Sequence, residues 1–159
     1  MEKSLKKIVV RIITIFLLAV TFFIIFQFSN QNGEKSSGVS QKFVRIIIEK
    51  LPQTKELSED TKIEIIQNSQ VFIRKGAHFT EYMILYFLAF NLLRLYITRK
   101  KAYIYSLIIV FGYACSDEFH QLFVEGRSGQ FKDVLIDTSG GIFGSLLVIL
   151  KSKIFSTKA

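Results

Sequence analysis

The chain carries apolar blocks of the length a bilayer demands. Residues 12–26 read IITIFLLAVTFFIIF and contain no charge. A helix needs roughly 20 apolar residues to cross a hydrocarbon core ~30 Å thick. A soluble domain of 159 residues breaks its apolar runs with turns. Here four blocks approach or reach spanning length, at about 8–28, 80–97, 102–118 and 134–150. The single proline, Pro52, falls between the first and second. Backbone inside hydrocarbon must satisfy its own hydrogen bonds, so such spans are helical. The expected fold is an all-α integral membrane protein with four transmembrane helices and a short amphipathic helical segment between the first and second. It forms one domain over 1–159. The first block exceeds the ~7–15-residue apolar region of a cleaved signal peptide, and no A-x-A site follows it, so it is expected to stay as a span.

Composition supports this frame. Half of the residues are hydrophobic, and the net charge is +8. A basic protein can suggest nucleic acid. These cations instead flank the apolar blocks, which points to a membrane surface. No nucleic-acid partner is expected. Cys115 is the one cysteine, so neither an internal disulfide nor a CxxC zinc site can form. Lys3, Lys6, Lys7 and Arg11 precede the first block. Arg94, Arg99, Lys100 and Lys101 lie between the second and third, and Lys151, Lys153 and Lys158 follow the fourth. Their only acidic companion is Glu2, whereas the other cations are spread among acids. The positive-inside rule then puts both termini in the cytoplasm and leaves the segments 29–81 and 116–133 together on the outer side.

The first of those segments has its own pattern. Val39, Phe43, Ile46, Ile47 and Leu51 recur at helical spacing, with Gln41, Lys42, Arg45 and Glu49 opposite. That is an amphipathic helix suited to the headgroup region or to the bundle mouth. Pro52 ends it. Ser58 then reads as an N-cap, with Glu59 and Asp60 in the first turn of a second short helix running towards Phe72.

Ionisable groups gather where spans meet this side. In RKGAHFTEY, Lys75, His78 and Glu81 follow at i, i+3, i+6, sharing a face if a helix starts near Gly76. In SDEFHQ, Asp117, His120 and Gln121 follow at i, i+3, i+4, beside Glu118. Arg127, Lys132, Asp133 and Asp137 come next. Asp137 runs along the side of Gly140, Gly141 and Gly144, whose small-xxx-small spacing lets helices approach closely, so it should point into the bundle. An intramembrane carboxylate is costly and marks a functional site by default, with Lys75, His78, His120 and Arg127 as partners.

The order of these blocks resembles the VanZ-like family. The resemblance rests on FSNQNGEKSSGVS, KGAHFTEYMILYFLAF and SDEFHQLFVEGRSGQFKDVLIDTSGGIFG, which together touch all four blocks. Two positions depart from the family pattern, which often has Pro where Glu125 stands and Asn where Asp137 stands. The resemblance implies a small multi-pass protein of the bacterial plasma membrane. It also implies a tie to teicoplanin susceptibility, the property for which the family is named.

Three readings of the cluster follow. As a binding site, Lys75, Arg127 and Lys132 beside carboxylates and imidazoles suit an anionic headgroup. The partner would be a lipid-linked cell-wall precursor or a glycopeptide antibiotic, with no cofactor expected. As an enzyme site, His78, Glu81, Asp117 and His120 offer nitrogen and oxygen ligands to a divalent metal, or a histidine general base oriented by a carboxylate. As structure, the same residues pin helix ends together, for instance Asp117 to Lys75 or Arg127 and His120 to Asp133. Cys115, among apolar neighbours, reads as a packing residue.

Overall fold

The computed structural model describes residues 2–156, with side chains from 5 to 154; Lys158, one of the flanking cations, lies outside them. The described chain is all-helical. Five α-helices run in order: α1 (Glu2–Ser29), α2 (Gly33–Lys50), α3 (Glu59–Leu93), α4 (Arg99–Gln121) and α5 (Phe131–Ser156). A 3₁₀ turn, Pro52–Thr54, joins α2 to α3.

Two of the helices, rather than four, are long and apolar enough to cross a membrane: α1 over Leu5–Ser29 and α5 over Phe131–Ile154. The other two expected spans, 80–97 and 102–118, lie largely within α3 and α4. Those helices are diluted by the polar groups that form the site, His78 and Glu81 on α3 and Asp117 and Glu118 on α4. The second expected span also stops short. Its helix ends at Leu93, and Arg94 caps it through hydrogen bonds to carbonyls of the last turn. α4 then extends the third expected span through the polar turn to Gln121.

The segment between the first two blocks differs more. α2 ends before Pro52 as the pattern predicts, capped at its start by Asn32, whose side chain accepts from Lys35 N at 2.9 Å. Its buried stripe, however, is Ser36, Ser40, Val44 and Ile48. The apolar stripe of Val39, Phe43, Ile46, Ile47 and Leu51 faces outward instead. Small serines let the backbone of α2 lie close against α3, and Gln41 Nε2 donates to Gln70 Oε1 at 2.9 Å across the seam. Ser58 does cap the next helix, accepting from Thr61 N at 3.3 Å. That helix does not stop near Phe72. It runs unbroken for 35 residues, about 50 Å at 1.5 Å per residue. Gly76 therefore lies within a helix rather than at its start, and the two predicted elements are one rod.

The core sits where α1, α3, α4 and α5 meet. Ile25, Tyr82, Leu85, Tyr86, Phe90, Val110 and Val134 form it. Tyr113 on α4 donates its hydroxyl to Phe22 O on α1 at 2.7 Å. α5 approaches α3 most closely at Gly140, where a Cβ would stand 2.1 Å from Phe79 O. No other residue fits there. In contrast, α1 leaves Ile8, Ile12, Phe16 and Phe23 exposed along its length.

Candidate functional site

One end of the bundle gathers the start of α2, the middle of α3, the end of α4 and the start of α5. The loop between α4 and α5 closes it. Gly126 takes a left-handed φ of 69°, which favours glycine. This turns the loop towards α2, and Gly33 N donates to Glu125 O at 3.1 Å. Gly33 has no room for a side chain, since a Cβ would stand 2.0 Å from Gly126 O. Glu118 locks the same loop by accepting from Gln130 N at 2.8 Å. Its role is thus to hold the loop against α4.

A cavity of about 230 Å³ opens at this end, lined by Arg74, Lys75, His78, Glu118, Gln121, Arg127, Asp133 and Asp137 among others. Lys75 Nζ is 2.6 Å from Asp133 Oδ1, tying α3 to α5. Arg127 donates from Nη1 to Ser36 Oγ at 2.9 Å, and its Nε has no partner. Desolvation, then the neighbouring Arg74, pushes the Arg127 pKa down from its ordinary value. Asp117 is buried and accepts from Gln121 Nε2 at 3.2 Å, with the buried Ser29 hydroxyl beside it. Asp137 is 1% exposed, and its Oδ2 has no hydrogen-bond partner.

His78 lies between these groups. Burial, and after it the Arg127 charge, pushes its pKa down to about 4. The imidazole is therefore neutral at pH 7. Its Nδ1 is 3.9 Å from Glu81 Oε2, too far for a hydrogen bond, and a neutral ring forms no ion pair. Both atoms are left without partners. One donor atom each from His78, Asp117 and Asp137 lies within 4.8 Å of the other two, so these three are the metal-capable group among the described residues.

A second space adjoins the first. A groove of about 580 Å³ runs between α2 and α3, lined by Phe28, Val39, Phe43, Phe72 and Ile73, and it shares Arg74 and His78 with the polar cavity.

Two predicted site residues lie elsewhere. His120 does not join the cluster or pair with Asp133. Its Nε2 is 3.3 Å from Asn30 Oδ1, and its ring lies over Phe26 at a centroid distance of 5.0 Å. Lys132 is exposed and does not line the cavity. Of the two expected partners of Asp117, Lys75 pairs with Asp133 instead, and Arg127 acts on Asp117 through its charge without a salt bridge among the described residues. Sequence reasoning missed Arg74, Ser29 and Ser36. Arg74 was findable, since it precedes His78 by four residues and so shares its face.

An all-helical bundle with two helices apolar enough to cross a bilayer, and a polar cavity at one end where four helices converge, defines a class of small helical membrane proteins with a charged mouth. The chain belongs to the VanZ/LLP1 family, whose sequence pattern matches residues 14–152. No curated protein and no solved structure matches it.

Proposed function

We propose that this is a four-span protein of the bacterial plasma membrane that binds the anionic headgroup of an envelope lipid at its outer mouth, and that it thereby lowers susceptibility to lipoglycopeptides such as teicoplanin. α3 and α4 serve as the inner pair of spans, shielded by the more apolar α1 and α5. One observation carries the reading. A cation-rimmed polar cavity adjoins an apolar groove, and Arg74 and His78 belong to both. That is the shape of an amphiphile with a charged head and a hydrocarbon tail. Arg74 and Arg127 present planar guanidinium donors, which suit phosphate oxygens. The outward apolar stripe of α2 borders the groove through Val39 and Phe43 and would rest in the headgroup layer. Teicoplanin carries an acyl tail and can compete for the same groove, or lose access to the lipid that fills it.

Binding of a long-chain isoprenyl phosphate to the protein in lipid nanodiscs tests this, with the isoprenyl alcohol of equal length as control. The phosphate is expected to bind at least tenfold more tightly. Arg127→Gln and Arg74→Gln should each weaken it about tenfold, or ~1.4 kcal/mol. Equal affinity for phosphate and alcohol would sink the headgroup reading. In a Gram-positive host, wild type should raise teicoplanin tolerance, and an equally abundant Arg127→Gln should not.

A further inference from the structure

Two buried carboxylates at this end of the bundle, one of them lining the cavity, are short of partners. Asp117 and Asp137 are 4% and 1% exposed, on α4 and α5. Asp137 Oδ2 has no partner, and the Asp117 carboxylate accepts only from the amide of Gln121, with the Ser29 hydroxyl, itself without a hydrogen-bond partner, nearby. Of the nearby cations, Lys75 pairs with Asp133 at 2.6 Å, and Arg127 donates to Ser36 at 2.9 Å while its charge acts on Asp117. Two desolvated carboxylates this close need a proton or a cation between them. An anionic headgroup arriving above them would make that need greater.

We infer that His78, Asp117 and Asp137 hold a divalent first-row transition cation beside the cavity that His78 and Asp137 line. Three helices, α3, α4 and α5, contribute one ligand each. An imidazole nitrogen with two carboxylate oxygens suits manganese, iron or zinc better than a soft cation. The three donor atoms lie within 4.8 Å of one another. Metal–ligand bonds of 2.0–2.2 Å set donor separations of about 3–4 Å, so filling requires the widest pair to close by no more than about 1–2 Å. Glu81 Oε2, 3.9 Å from His78 Nδ1, stands where a carboxylate orients a ligating histidine. His120, bonded to Asn30 on the α1 side, takes no part.

Because His78 and Asp137 line the same cavity as Arg74 and Arg127, a phosphoryl oxygen of the proposed headgroup held there would be within the cation's surroundings. The inference deepens that reading, but ion binding itself does not depend on it.

The test uses full-length, tag-free protein in detergent, stripped with a chelator and then titrated with Mn²⁺ or Zn²⁺. One equivalent per chain is expected, with thermal stabilisation on filling. The isosteric Asp137→Asn and His78→Ala should weaken binding at least tenfold and abolish the stabilisation, while His120→Ala behaves as wild type. Circular dichroism checks the fold of each variant, and should His78→Ala not fold, Asp137→Asn decides. Substoichiometric metal in wild type, or wild-type affinity in Asp137→Asn, overturns the inference. Isoprenyl phosphate binding is measured in parallel. Headgroup binding without an ion defeats the metal site alone, and ion binding without a headgroup preference defeats only the lipid reading.

Discussion

Gly140 and Asp137 lie one turn apart on α5 and make opposite demands. Gly140 has no space, because a Cβ would press on the Phe79 carbonyl. Gly140→Val should therefore separate α5 from α3 and cost about 3 kcal/mol or more, read as a lower thermal midpoint in detergent. Asp137 has no partner for one of its oxygens. In metal-free protein, Asp137→Asn should leave stability unchanged or raise it by about 1 kcal/mol, since a desolvated charge is removed. A clear loss of stability would mean that the carboxylate has a partner in the folded protein. The inward direction of Asp137 was legible, because a residue three or four before a packed glycine shares its face. The direction of His120 was not. At 100° per residue, it sits about 60° to one side of Asp117 and Gln121 about 40° to the other. With α5 on one flank and α1 on the other, those angles send the two side chains to different neighbours. Spacing alone cannot tell which neighbour stands where.

At the scale of elements, α3 shows why hydropathy divides what the backbone joins. Its front half is polar and its back half apolar, so it reads as two elements. Gly76 was the only apparent break, but a glycine inside a helix costs only about 1 kcal/mol, too little to stop one held on both sides. Nothing stands within 4 Å of a Cβ at that position. Gly76→Ala should thus raise the thermal midpoint, by up to about 1 kcal/mol of added stability. α2 carries the converse lesson. Its period was legible, but the face that packs on α3 was not, because the buried stripe pairs two small serines, Ser36 and Ser40, with Val44 and Ile48. Ser40→Leu should overpack that seam. Hydrogen exchange should then speed up in α2 while α5 keeps its protection.

At the scale of the whole molecule, the four-span reading makes a topological prediction. In a Cys115→Ala background, single cysteines at the exposed positions Lys35, Glu125 and Lys100 can be labelled with an impermeant maleimide. Lys35→Cys and Glu125→Cys should react in intact cells, and Lys100→Cys only after permeabilisation. Reaction of all three in intact cells would mean that the middle helices do not cross. The helical class and four of the helix positions were legible from length and hydropathy alone. The cavity was not, because it depends on how the α4–α5 loop folds back over α2, and no periodic pattern encodes that contact. In the proposed placement, the same contact would give the bilayer a handle on the pocket. There α2 would float on its outward apolar stripe, while its first turns are moored to the cavity rim by Gly33 on Glu125 and Ser36 on Arg127. Whatever changed the draught of that float, such as a thicker leaflet or a crowded headgroup layer, would tug directly on the arginine that guards the entrance.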